Sequence, residues 1–366
     1  MKITKIFVHR VDLPMKEGSY SWGGQSFAAF DSTVVLVETD AGITGVGESC
    51  PLGPAYLPAY AQGVRSGIET LGPALLGADP RQTDAMYDLM DRNLRGHPYV
   101  KSALDMAFWD ILGKSVGLPC YMLLGGLRNP RVKLFKVLSR QDPAAMVERL
   151  KQYQDEGFRR YQIKVGSDAG KDIERIESIL GARQDGEVFA ADANTTWKMH
   201  EAMRVVGATR GMDYSMEQPC LTYEECLSIR RHCDQPMILD ECMDSIDMLI
   251  RGRADSAMDQ VNVKINRLGG LTKARQFRDL CVEFGIYMTI EDAWGGEIAT
   301  AAIAHLAHST PEIFHSQSSA FHEYTDLVIA DGGPEISDGT MAAVDAPGLG
   351  VVPRMEALGD PVFVCR

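Results

Sequence analysis

The feature that most constrains this chain is an alternation that begins near residue 132. Eight β-type runs, at 132–138, 160–165, 188–192, 213–217, 237–240, 260–264, 286–290 and 313–317, are separated by stretches with helical spacing, such as 144–156 and 273–284. Parallel strands need a crossover between them, and a helix supplies it. Strand and helix in eightfold alternation therefore predict an α/β fold, a (β/α) barrel whose site lies at the C-terminal ends of the strands.

Five ionisable residues close consecutive runs of that series: Lys164, Asp192, Glu217, Asp240 and Lys264. Neighbours are roughly 25 residues apart, one strand plus one helix. A single acid after a strand is commonly a helix N-cap. Three in succession, each preceded by apolar residues, would face one another across a barrel mouth and repel. A cation resolves the conflict, and an all-oxygen ligand set of Asp192, Glu217 and Asp240 favours Mg2+, with Mn2+ as a substitute. Lysines are seldom buried at strand ends for packing. The bland reading of Lys164 and Lys264 is a salt bridge to one of the acids. Strands two and six lie across an eight-strand ring from one another, so two lysines there can address opposite faces of one carbon. Desolvation and a nearby divalent cation are expected to lower a lysine pKa towards neutrality, which would suit a base.

The first half of the chain has a different rhythm. Residues 1–50 read as β structure, with Thr39, Asp40, Ala41 and Gly42 forming a hairpin turn. A glycine-rich loop at 17–24 carries Tyr20 and Trp22, and a proline-glycine loop at 50–56 carries Tyr56. Residues 58–118 read as helices, the clearest at 100–115 and stopped by Gly117, Leu118 and Pro119. The change of rhythm at Gly125 and Gly126 places a domain boundary there. The expected organisation is an α+β cap at 1–125, a barrel at 126–330, and a return of 331–366 to the cap.

A formal net charge of -13, with no basic stripe, argues against nucleic acid and against anionic lipid as partners. The first residues lead straight into a strand-like run, and no apolar run is long enough to span a bilayer. The eight cysteines form no C-x-x-C pair and read as reduced thiols, so the expected location is the cytoplasm. The eight histidines look peripheral, and none is assigned to chemistry.

Several motifs together resemble the enolase superfamily, in its muconate-lactonizing-enzyme-like subgroup. They are residues 103–114 (ALDMAFWDILGK), the Leu123-Leu124-Gly125-Gly126 run, the three-acid ladder, and Lys264 followed by Gly269 and Gly270. The resemblance spans essentially the whole chain. It implies a modified (β/α)7β TIM-type barrel under an α+β capping domain, Asp192, Glu217 and Asp240 as Mg2+ ligands, and Lys164 and Lys264 as acid and base. Asn194 and Glu241 would stand just behind these groups, and a homo-oligomer is implied. Many relatives have a lysine two residues before the strand-two base, where this chain has Gln162. Asp292, Ala293, Trp294, Gly295 and Gly296 are similar to superfamily members that act on hydroxyproline and its betaine. An acid beside an indole suits a substrate cation, so Asp292 and Trp294 are candidate substrate contacts. Tyr20, Trp22 or Tyr56 would cover the ring from the cap. The resemblance implies an amino-acid or betaine carboxylate as the small-molecule partner. The reaction implied is dehydration of cis-3-hydroxyproline, with 2-epimerisation of hydroxyproline betaine as the alternative. A metal-stabilised barrel with no catalytic role is the third reading.

Overall fold

The structure is a computed structural model and describes residues 1–22 and 25–366. Eight short strands form one sheet in sequence order: Lys136–Leu138, Arg160–Lys164, Val188–Asp192, Ser215–Glu217, Met237–Leu239, Gln260–Lys264, Tyr287–Glu291 and His315–Ser318. All seven neighbouring pairs are parallel. A parallel bridge between Leu134 and Ser318 joins the first strand's approach to the last strand and closes the ring. Seven strands are each followed by a helix, from Pro143–Asp155 round to Glu297–His308, whereas the eighth leads only into a short 3-10 turn, Phe321–Tyr324. The barrel is thus (β/α)7β.

Six of the eight strands differ at an end from the expected runs, and two of these differences bear on the topology and the site. The run at 132–138 is split: Val132–Lys133 pairs antiparallel with Thr340–Ala342, and only Lys136–Leu138 enters the barrel. The seventh strand extends through Glu291, so an acid closes it rather than Ile290.

The cap is a four-stranded antiparallel sheet with three long helices. Ile3–Pro14 lies between Ala29–Thr39 and the C-terminal Phe363–Cys365, and Thr44–Ser49 completes the sheet. The C-terminal segment therefore reaches the cap sheet in its last residues, while Glu335–Ser337 and Thr340–Ala342 pair beside the barrel entrance. The expected loop at 17–24 is a hairpin, Tyr20–Trp22 against Gln25–Phe27, and Gly23 and Gly24 lie outside the described residues.

Helix Pro98–Val116 holds cap and barrel together. Proline stands at its first turn and Gly117 closes it in the left-handed conformation (φ 70°). It lies so close on Thr44–Ser49 that only glycine fits beneath it. A Cβ on Gly45 would stand 2.2 Å from the Ala107 carbonyl oxygen, and one on Gly47 1.9 Å from that of Ala103. On its other side Asp105 accepts hydrogen bonds from Thr272 N (2.9 Å) and Thr272 Oγ1 (2.6 Å), which caps the first turn of barrel helix Leu271–Phe284. Trp109 is buried and donates to the same hydroxyl at 2.9 Å. Glu48 makes a second join: it accepts from Gly296 N (2.9 Å) and Ala299 N (3.0 Å) at the start of helix Glu297–His308. Beside it Ser49 Oγ accepts from Asn266 Nδ2 at 2.5 Å. The cap thus grips the two loops that follow barrel strands six and seven.

Candidate active site

Strand alternation turns Gln162 and Lys164 inward and leaves Tyr161 and Ile163 to face the helices. The register sets Lys164 beside Asp192 and Asp192 beside Glu217 on three consecutive strands. Lys264 stands beside Glu291 in the same way on strands six and seven. Lys164 Nζ donates to Asp192 Oδ2 (2.5 Å) and Asn194 Oδ1 (3.1 Å). Lys264 Nζ donates to Asp240 Oδ2 (2.8 Å) and Tyr56 Oη (2.5 Å), with Glu291 Oε1 at 3.6 Å. The fold brings together the five residues that the sequence singled out, all of them buried.

The groups around them are also buried and bonded. Gln162 Nε2 lies 3.0 Å from each Glu217 oxygen, and Asn262 Nδ2 donates to Glu217 Oε1 at 2.7 Å. Asn194 Nδ2 donates to Glu241 Oε1 at 3.1 Å. From the cap, Tyr56 donates to Asp240 Oδ2 at 3.0 Å and carries Trp22 against its ring, centroids 5.0 Å apart.

Three positions are set by their buried neighbours. Both lysines are held above their ordinary pKa. Burial favours the neutral amine, but Asp192, Tyr20 and Glu217 outweigh it at Lys164, and Asp240 and Glu291 outweigh it at Lys264. Asp292 does not present a free carboxylate. Its oxygens accept from Asn266 N (3.1 Å) and Ala293 N (2.7 Å), so it ties the loop after strand six to the loop after strand seven. Burial raises its pKa to about 8. Trp294 does not offer an open π face: its ring is packed among Phe30, Phe321 and Tyr20, at centroid distances of 4.5, 4.6 and 4.8 Å. His305 and His315, expected to be peripheral, are core residues. They bond Tyr121 N, and Asn129 with Ser318, respectively.

Two groups escaped the sequence reading. Arg267 Nη1 donates to Asp240 Oδ1 at 2.6 Å, and its Nη2 to the Asn262 carbonyl at 2.7 Å. Its signal was its position three residues after Lys264, one helical turn on. Glu291 closes its strand as Asp192 and Glu217 do, one residue beyond the expected end of that run.

Charge and donor type can be tested against a divalent cation. Five buried carboxylates (Asp192, Glu217, Asp240, Glu241, Glu291) face three buried cations (Lys164, Lys264, Arg267), an excess of two negative charges. Glu241 Oε2 and Glu291 Oε1 are buried without a hydrogen-bond partner. The strain appears in their titration. Burial and the neighbouring acids raise Glu217 well above the carboxylate range, Glu241 to about 8, and burial with Asp240 raises Glu291 to about 7. Asp240 is held low against its burial by Lys264 and Arg267. As their side chains stand, no three acidic, histidine or cysteine groups among the described residues surround a common point. Asp192 and Asp240 are turned to the lysines, and Glu217 to two amides. An all-oxygen set with a net charge of minus two still fits a hard divalent cation.

Comparison with known proteins agrees with this fold. The model of the mandelate racemase / muconate lactonizing enzyme N-terminal domain matches residues 5–125, and that described as enolase C-terminal domain-like matches residues 145–357. A cis-3-hydroxy-L-proline dehydratase of Roseibium aggregatum is 51% identical over 363 residues, covering 99% of both chains. An N-succinyl-L-Arg/Lys racemase of Bacillus cereus is 29% identical over 316 residues, covering 84% of this chain and 85% of the relative. Among solved structures, a mandelate racemase/muconate lactonizing enzyme from Roseovarius nubinhibens superposes with a TM-score of 0.96 at 43% identity, covering 99% of both chains. An enolase superfamily member from the same organism, complexed with magnesium, gives 0.94 at 41% identity, again over 99% of both.

Proposed function

Because the chain belongs to the mandelate racemase / muconate lactonizing enzyme family of the enolase superfamily, we propose that it dehydrates cis-3-hydroxy-L-proline to Δ1-pyrroline-2-carboxylate. The observation that carries the reading is the placement of Lys164 and Lys264 on opposite sides of one buried ring of acids, together with the dehydratase relative.

In cis-3-hydroxyproline the hydroxyl and the carboxylate share a face, so the α-hydrogen lies on the other face, anti to the hydroxyl. One lysine takes the α-proton as the Cα–H bond breaks. The other gives a proton to the departing hydroxyl as the Cβ–O bond breaks, and water leaves. The electron pair of the C–H bond becomes the new double bond, and the enamine tautomerises to the cyclic imine. Lys164 and Lys264 suit this anti geometry because they reach the substrate from opposed strands. One of them must enter the cycle uncharged, a state that burial favours and the neighbouring acids oppose. A divalent cation, Mg2+ or Mn2+, held by Asp192, Glu217 and Asp240 would supply positive charge that stabilises the developing carboxylate dianion and draws those acids off the lysines. Tyr56 and Trp22 close the site from the cap and exclude water. Asp292 and Trp294 shape it by fixing the loops after strands six and seven. The same two bases would serve a 2-epimerase, by returning a proton to the opposite face of Cα. A cytoplasmic homo-oligomer completes the proposal, and light scattering reads its assembly.

The decisive experiment is incubation with cis-3-hydroxy-L-proline and with proline and hydroxyproline betaines in D2O, read by NMR. A cyclic imine from cis-3-hydroxy-L-proline alone supports the proposal, and an epimer from a betaine points to the other reaction. No α-proton exchange in any of them, with Mg2+ present, sinks both.

A further inference from the structure

Gln218 follows Glu217 directly and is fully buried. Its side-chain amide uses every hydrogen-bonding position it has. Nε2 donates to the Cys220 carbonyl (3.1 Å) and to Cys226 Sγ (3.6 Å). Oε1 accepts from Asp240 N (2.9 Å) and from Cys242 Sγ (3.4 Å). Its backbone is engaged on both sides as well: N donates to the Ile238 carbonyl, and the carbonyl accepts from Thr195 N, each at 3.0 Å. These bonds join the loops that follow barrel strands three, four and five. Those loops start from Asp192, Glu217 and Asp240, so one residue links all three: its side chain ties the loop after Glu217 to the backbone of Asp240, and its carbonyl holds the loop after Asp192.

The same loops hold unfavourable backbone. Gln218 has φ 33°, Asn194 φ 43° and Thr195 φ 67°, in the left-handed region that side-chain-bearing residues avoid. Such conformations persist where the surroundings over-determine them. At Gln218 they do, through four side-chain and two backbone hydrogen bonds. A buried glutamine elsewhere shows what a purely architectural role looks like. Gln235 gives Nε2 to the Thr209 carbonyl (2.7 Å) and takes Cys233 Sγ on Oε1 (3.2 Å), and neither partner bears on the acids.

We propose that Gln218 is a positioning residue that sets the spacing of the Asp192, Glu217 and Asp240 carboxylates for a divalent cation. The inference rests on the metal reading above. It differs from a stabilising role in what it moves, because groups that orient ligands typically change metal affinity by about 10–100-fold when replaced.

The test is Mn2+ binding to metal-free protein, read from the EPR signal of free Mn2+, in wild type, Gln218→Leu and Gln235→Leu. Urea unfolding of the same metal-free proteins runs beside it. Gln218→Leu is expected to raise the Mn2+ Kd by about 10–100-fold. Gln235→Leu should lose stability and keep the wild-type Kd. If Gln218→Leu does not fold, Gln218→Met, which keeps the length and lacks the amide, is read the same way. A wild-type Kd in the Gln218 variant, or an equal loss in the Gln235 variant, overturns the proposal. Absence of Mn2+ binding by wild type instead overturns the metal reading itself, so the two failures are distinguishable.

Discussion

Replacing the two lysines one at a time probes the mechanism most directly, and the structure makes the outcomes unequal. Asp192 Oδ2 accepts from Lys164 at 2.5 Å, and its other oxygen accepts from Asn194 N at 2.7 Å. Lys164→Met therefore leaves a buried carboxylate without a cation beside it, a change that costs about 3–5 kcal/mol. Asp240 is better provided for. Without Lys264 it keeps Arg267 at 2.6 Å and Tyr56 at 3.0 Å, so Lys264→Met should be the more stable variant. Urea unfolding measures that difference and shows that activity losses are not unfolding. On turnover, each lysine is asked to supply general acid or base catalysis, roughly 10²–10⁴-fold or about 2.7–5.5 kcal/mol. Proton NMR in D2O separates their roles. The base variant should lose both α-proton exchange and water loss, whereas the acid variant should lose water loss and keep exchange. Wild-type turnover in either variant would refute the two-lysine mechanism.

Other measurements follow from the same geometry. Chelation should abolish α-proton exchange and lower the melting temperature, and restored Mg2+ at about 100 times its Kd should return about 2.7 kcal/mol of stability; equal melting temperatures with and without the ion would remove the metal from the fold's energetics. His305 and His315 are buried, and burial lowers them to about 4 and about 3. The unfolded chain takes up those protons below pH 6.5 while the folded chain does not, so stability is full above pH 6.5. It should fall as pH drops from there towards 4, by about 1.4 kcal/mol per unit for each histidine. Urea midpoints at pH 7, 6 and 5 check this, and His315→Gln should flatten the slope. Gly47→Ala forces a Cβ into the Ala103 carbonyl and should cost about 1–3 kcal/mol or more, read by thermal unfolding, whereas an unchanged melting temperature would mean that the helix can move off its strand.

Much of this site could be read in the sequence because a barrel converts spacing into convergence. Charged residues that close successive strands must meet at one mouth, which is how Lys164, Asp192, Glu217, Asp240 and Lys264 were found. Glu291 obeyed the same rule and was lost to a one-residue error in its strand end, where β propensity gives no sharp stop. Asp292 and Trp294 show the limit of reading by residue type. An acid and an indole side by side suggest a cation site, yet the acid's oxygens face backbone amides and the indole is wrapped by aromatics. Which neighbours a side chain meets depends on contacts distant in sequence, such as Phe30 from the cap, and no local pattern encodes them. The same holds for Tyr56, whose hydroxyl reaches Lys264 across 208 positions of chain.

The grip of the cap on the barrel has a consequence for how the molecule can be taken apart. Family models divide the chain between residues 125 and 145, which invites expression of either half alone. Cutting there would strip Gly296 N, Ala299 N, Thr272 N and Asn266 Nδ2 of their acceptors on one side. On the other it would leave Glu48 and Asp105 as carboxylates stranded in apolar surroundings, with the helix that carries Asp105 bare on its barrel-facing side. The loops that would lose their anchors are those following Lys264 and Glu291. An isolated barrel would therefore keep the residues of its reaction centre in sequence and lose their arrangement in space. What looks like two modules on a linear map shares its hydrogen bonds at the loops beside Lys264 and Glu291.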